Sequence, residues 1–250
     1  MGYAQAGFRV VGVDIEPQPH YPFEFRQCNA FSLPFSLKRF QAIHASPPCQ
    51  AFSVANNIHG NDHVDYIDLT RKMLKASGLP YVSENVPGAP LRHPVMLCGL
   101  TFGLRVKRHR LFESNVEFPG SQCPVGHPGE WLSVFGHTVL GRGTTVGRAK
   151  GGGPHIHRQH VGLERGREAM GIDWMGMEEL SEAIPPAYTA HIGRYLMARV
   201  LGQPRPDARR AVVALRPARA PLAATGASAR PSGRARRLRS GPLPPRWDLA

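Results

Sequence analysis

Hydrophobic positions in this chain fall into short β-prone runs and two helical stripes. Residues 2–7 read as the end of a helix capped by Gly7, and residues 8–15, FRVVGVDI, form a strongly β-prone run that carries Asp14 near its end. Pro17, Pro19 and Pro22 then enforce an extended loop. Residues 40–45 predict a second short, buried strand. Tyr66, Ile67, Leu69, Met73 and Leu74 recur at helical spacing within residues 65–77, and Gly78 is the stop. Strand character returns over residues 79–83, with Glu84 following, and again over residues 105–112. Residues 186–201 predict another helix: Pro185 and Pro186 lead in, Ile192, Leu196 and Val200 form its stripe, and Gly202 follows.

Strand, loop, helix and strand at this spacing predict βαβ units and a mostly parallel sheet, an α/β fold. Cys49 and Glu84 both fall just past strands, so the sheet places them on one rim. In open α/β sheets that rim is where ligands bind. Over residues 113–165 the pattern changes to Gly, His and Arg with short β-like pieces such as 131–135, which predicts a small irregular module. Residues 1–112 then form a core, and 166–202 return to it. Residues 203–250 hold 8 Pro, 11 Ala and 11 Arg and few large apolar side chains, so they are expected to be disordered.

Charge sharpens this division. The chain has 250 residues, with 31 Lys plus Arg against 18 Asp plus Glu, a net charge of +13. Residues 203–250 contribute 11 Arg and 2 Asp, or +9, which leaves +4 for the rest. A polyanionic partner is expected, but the folded part is only mildly basic. The four cysteines, Cys28, Cys49, Cys98 and Cys123, do not form a secreted disulfide framework. No apolar run approaches the roughly 18 residues of a membrane span, and no signal peptide is visible, so a cytoplasmic protein is expected.

The chemistry concentrates in Ser46-Pro47-Pro48-Cys49-Gln50. Two prolines fix φ and remove two donors, which holds the loop rigid and places Cys49 like a nucleophile. Asp14, Glu84-Asn85-Val86 and Arg108-His109-Arg110 complete the set. Cys98, Cys123, His127, His137, His155 and His157 raise a zinc reading. Cys123-X-X-X-His127 has no partner pair of similar spacing, so no metal is expected.

With these pieces, residues 1–202 resemble the DNA cytosine-5 methyltransferases. The resemblance rests on Ser46-Pro47-Pro48-Cys49-Gln50-Ala51-Phe52-Ser53, on Ser83-Glu84-Asn85-Val86-Pro87, on the Arg-X-Arg within 107–110, and on Ala183-Ile184-Pro185-Pro186. It implies a Rossmann-like methyltransferase sheet and S-adenosylmethionine as methyl donor. It also implies double-stranded DNA as partner, with base flipping, a monomer, and a role in marking DNA against restriction. Cys49 would be the nucleophile, Glu84 the donor to the cytosine ring, and Arg108 and Arg110 its supports. Asp14, Ile15, Asn29 and Pro48 would line the cofactor site. Residues 113–165 would recognise the target, through Arg142, Arg148, Lys150, Arg158 and Arg165.

The resemblance also has gaps. The family begins with a strand and a Gly-rich turn, and Met1-Gly2-Tyr3 aligns just after that turn. The central strand of the sheet is therefore expected to be missing, through a misplaced start codon, a fragment or a decayed copy. Val106 stands where the family has Gln, and Ser181-Glu182 where it has Gly-Asn. An RNA cytosine-5 methyltransferase and an inactive DNA-binding remnant are the alternatives. Amino methyltransferases carry an aromatic where this chain has Cys49.

Overall fold

The computed structural model describes residues 1–48, 66–123, 127, 131–135, 138–141, 145–148, 154–157, 161–202 and 211–215. Its centre is a seven-stranded mixed sheet. In chain order the strands are β1 (Arg9–Asp14), β2 (Glu24–Gln27), β3 (Ala42–Ala45), β4 (Tyr81–Asn85), β5 (Val95–Leu97) and β6 (Arg110–Ser114). Strands β7 (Leu132–Phe135), β8 (Thr138–Gly141), β9 (Thr145–Arg148) and β10 (Pro154–His157) pair in two separate hairpins, and β11 (Ala211–Leu215) rejoins the large sheet. The α-helices are α1 (Gly2–Gln5), α2 (Ile67–Ser77), α3 (Leu163–Met170), α4 (Met177–Glu182) and α5 (Pro186–Leu201).

The sheet order is β2-β1-β11-β3-β4-β6-β5. Strands β2, β1, β11, β3 and β4 run parallel, and β6 lies antiparallel between β4 and β5. Strand β1 alternates between two cores because successive side chains leave opposite faces. Val10 joins Tyr3, Ala42, Val82 and Phe112 beneath α1 and α5, whereas Val11 and Val13 join Ile43, Leu74 and Tyr81 beneath α2. The parallel strands are thus covered on both faces, which explains why β3 and β4 are buried along their whole length.

Two glycines fix helix positions. Gly78 takes φ 68° to end α2, the left-handed geometry that favours glycine. At Gly193 a Cβ would stand 2.6 Å from that of Ala6, so α5 closes onto the segment after α1 only without a side chain there. A third core joins Val106, Leu132, Val134 and Val139 to Met170, Ile172, Leu180 and Ala183, so α3 and α4 pack on the small module and the return to the sheet begins at α5.

Three expectations change. Residues 203–250 are not disordered throughout, because β11 forms within them. It occupies the slot between β1 and β3, with Val212 beside both Val10 and Ala42, so the sheet has a central strand after all. The apolar run Ala211–Leu215 satisfies two strand edges that would otherwise carry unpaired amides and carbonyls. Strands β2 at residues 24–27 and β5 at Val95–Leu97 are additions to the expected elements. The strand expected over 105–112 begins only at Arg110, because residues 105–107 bond to Leu132 instead. Among the described residues, no helix is long and apolar enough to cross a membrane.

Candidate active site

The carboxyl ends of β3 and β4 lie side by side, in register from Ala45 opposite Ser83. One step further, Ser46 hydrogen-bonds Glu84. A second tie follows, where Asn85 Nδ2 donates to the Pro47 carbonyl at 2.9 Å while its Oδ1 accepts from Val86 N at 2.9 Å. Asn85 thereby locks the Pro-Pro turn to the strand that carries Glu84. Pro48 is buried at the end of this turn. Cys49, Gln50 and the rest of 49–65 lie outside the described residues.

The antiparallel insertion of β6 supplies the next component. Because β6 runs against β4, its first residue, Arg110, reaches the rim where β4 ends. Glu84 pairs with Phe112, and Arg110 is two residues earlier on the same face. Arg110 Nε meets Glu84 Oε1 at 3.0 Å. Burial nevertheless dominates, and desolvation holds the Glu84 carboxyl above the usual carboxylate range against the opposing effects of Arg110, Ser46 and Arg108.

A buried polar chain lies behind Glu84. The Tyr3 hydroxyl is 2.7 Å from His44 Nδ1, and His44 Nε2 is 3.0 Å from Ser46 Oγ. Ser46 then reaches Glu84. Burial pushes His44 down to about 4, so its imidazole is neutral near neutral pH, with one nitrogen donating and one accepting. Desolvation raises the Tyr3 phenol, which stays protonated. Two proton arrangements fit this chain. With Glu84 ionised, every group donates toward the carboxylate, from Tyr3 through His44 and Ser46. With Glu84 protonated, the direction can reverse. Sequence patterning did not reveal Tyr3 or His44, since both sit in apolar runs and look like core positions.

Arg108 serves a different purpose from Arg110. It is 4% exposed, and its guanidinium donates to the Val134 carbonyl at 2.7 Å and the Ser181 carbonyl at 2.8 Å. It therefore ties the small module and the end of α4 to the sheet, and its charge also acts to lower the Glu84 carboxyl.

On the other side of β11, Asp14 is fully buried at the end of β1. Its Oδ1 accepts from Glu16 N at 3.0 Å and its Oδ2 from Gln18 Nε2 at 3.2 Å. Ile15 beside it is 41% exposed, an apolar face on the rim. Asn29 turns its Oδ1 to Phe31 N at 2.9 Å, which leaves one lone pair of that oxygen for a ligand. Gln18 is a neutral hydrogen-bond donor at Asp14, the same role a sugar hydroxyl would take. Donor chemistry and an adjacent apolar face fit a nucleoside here. A separate cleft of about 400 Å³, lined by residues including Met1, Trp174 and Pro186, shares no residue with the Glu84 group.

Of the residues considered for zinc, Cys98, Cys123 and His127 come together. His109, read in the sequence as part of the arginine motif, is the fourth member. His137 lies outside the described residues, and His155 and His157 fall on β10. Of the arginines and lysine expected to read a target, Arg165 lies on α3 and Arg148 on β9, while Arg142, Lys150 and Arg158 lie outside the described residues. No protein-family model matches the chain, and no curated protein matches it either.

Proposed function

We propose that this chain transfers a methyl group from S-adenosylmethionine to carbon 5 of cytosine in double-stranded DNA. The observation that carries the reading is the buried Glu84 carboxyl, held above its usual range and paired with Arg110, on a strand end that Asn85 ties to the turn before Cys49. The sheet supports it as well. Strand order reverses about β11, so the crevice at the reversal is flanked by Asp14 on one side and by Ser46–Pro48 on the other. Such a layout suits a Rossmann-like methyltransferase that brings a nucleoside cofactor and a target base together.

The chemistry follows from the residues. The Cys49 thiolate adds to carbon 6 of a flipped cytosine and opens the 5,6 double bond. Glu84 gives its proton to ring nitrogen N3 as the sulfur adds, which quenches the charge, and the resulting carboxylate remains paired with Arg110. When bound, S-adenosylmethionine would supply an electrophilic sulfonium methyl group, so that carbon 5 would take the methyl with its electron pair and the donor would leave as the neutral thioether S-adenosylhomocysteine. Asp14 would hold the ribose hydroxyls in place of Gln18, and Ile15 would cover the adenine. A water then removes the proton from carbon 5. The electron pair re-forms the double bond and expels Cys49 as thiolate, and N3 returns its proton to Glu84.

The test is a covalent trap. Duplex DNA containing 5-fluorocytosine replaces the departing proton with fluorine, so the adduct persists. With the cofactor present, the parent chain is expected to give a denaturation-resistant complex and Cys49→Ser none. Adducts that persist in Cys49→Ser remove the nucleophile assignment. Methyl transfer to transfer RNA but not to duplex DNA would replace the substrate.

A further inference from the structure

Cys98, His109, Cys123 and His127 each offer one donor atom, and all four atoms lie within 4.8 Å of one another. His127 Nε2 stands 2.9 Å from His109 Nε2, 2.8 Å from Cys123 Sγ and 3.7 Å from Cys98 Sγ, and Cys123 Sγ stands 3.3 Å from His109 Nε2. Zinc bonds of about 2.0–2.1 Å to nitrogen and about 2.3 Å to sulfur put tetrahedral ligands roughly 3.3–3.8 Å apart. Two of these four spacings, 3.3 and 3.7 Å, fall within that range, and the other two are shorter. Thiols and imidazoles are weak hydrogen-bonding partners for one another, so this convergence is poorly explained by the hydrogen bonds alone.

The surrounding backbone is built to hold these atoms. Cys98 follows β5, and its N–H donates to Ser121 Oγ at 2.9 Å while its carbonyl accepts from Thr101 Oγ1 at 2.7 Å. His109 immediately precedes β6. His127 adopts φ 50°, a left-handed conformation that a non-glycine residue holds only when its surroundings fix it, and its carbonyl accepts from Trp131 Nε1 at 3.0 Å. Cys123 and His127 both lie between β6 and β7.

We propose that these four side chains bind one zinc ion as a closed structural site. Two sulfurs and two imidazoles in a tetrahedral set select zinc over magnesium or calcium, which want oxygen. Binding deprotonates both thiols and releases the protons to solvent, leaving a site with no net charge. The ion would fasten the β6–β7 segment to His109, and so fix the backbone between Arg108 and Arg110. Nothing in the proposal depends on the methyl-transfer reading.

Metal analysis of the full chain, purified without chelator, tests it. About one zinc per chain is expected, and cobalt(II) exchanged into the site is expected to give the intense visible bands of a tetrahedral ion with thiolate charge transfer. Cys123→Ser and the double variant His109→Ala/His127→Ala are expected to lower the content at least tenfold. Should those variants fail to fold, cobalt titration of the parent chain decides, because it needs no variant: saturation at one equivalent with thiolate bands supports the site. Absence of stoichiometric metal with no tetrahedral cobalt spectrum overturns it. A Cys98–Cys123 disulfide in freshly purified protein overturns it too.

Discussion

The Glu84 side chain sits where two requirements conflict. The proposed methyl transfer needs a proton on a carboxyl near neutral pH, and the fold buries that carboxyl beside an arginine. Burial prevails, so the group is held above the usual range. A carboxyl whose folded pKa is raised adds stability at low pH and loses it as pH climbs through the folded value. Glu84→Gln cannot titrate. Its melting temperature relative to the parent is therefore expected to improve as pH rises from about 4 upward, while methyl transfer falls roughly 10²–10⁴-fold, the range for a lost general acid. A difference in melting temperature that does not change with pH would show that Glu84 ionises normally. His44 works in the opposite sense. Burial lowers it from 6.5 to about 4, so the unfolded chain takes up a proton first and stability falls as pH drops between those values. That shift corresponds to about 3 kcal/mol at about 1.4 kcal/mol per unit. His44→Gln is expected to flatten the pH dependence of denaturant midpoints in this window, and an unchanged slope would relocate the titration to another group.

At the scale of elements, legibility followed the strength of the local pattern. The strands around Asp14, Cys49 and Glu84 were readable because they are apolar runs that end in polar residues, and buried parallel strands require such runs. Strand β2 was not, since Glu24–Gln27 is half-exposed at a sheet edge and follows three prolines. The fourth member of the Cys98, Cys123 and His127 group was hidden because His109, just before β6, reads in sequence as part of the arginine motif, and only the tertiary fold joins it to the others. Strand β11 was hidden by composition: Ala211–Leu215 is a five-residue apolar run inside an Arg- and Pro-rich stretch, and averages over that stretch read as disorder. Its position makes it testable. Val213 pairs with Val11 on one side and Ile43 on the other. Val213→Pro removes an N–H from a central strand and leaves a carbonyl unpaired, at a cost of about 1–3 kcal/mol. A melting temperature lower by roughly 2–4 °C per kcal/mol is expected, with faster hydrogen exchange at the amides of β1 and β3. Unchanged exchange there would place β11 outside the sheet.

The whole molecule combines a mildly charged folded body with a strongly basic final segment, and β11 separates two roles that this segment could otherwise confuse. Residues 216–250 contain 8 Arg and 1 Asp, so a chain that ends at Leu215 keeps β11 while its net charge falls from +13 to +6. A chain that ends at Gly202 loses the central strand as well. Arginine contacts to phosphate release counterions, and each adds about 0.9 to the slope of log affinity against log salt. If the terminal arginines bind DNA only through phosphates, the chain ending at Leu215 is expected to melt like the parent and to methylate the same sequence, with weaker duplex binding and a shallower salt slope. The chain ending at Gly202 is expected to melt well below both, because β1 and β3 then face each other across an unfilled gap. Bisulfite mapping, salt titrations and melting curves on the three lengths distinguish the cases. A changed methylation sequence at Leu215 would mean that the terminal arginines read bases, and equal melting at Gly202 would mean that the sheet closes without β11.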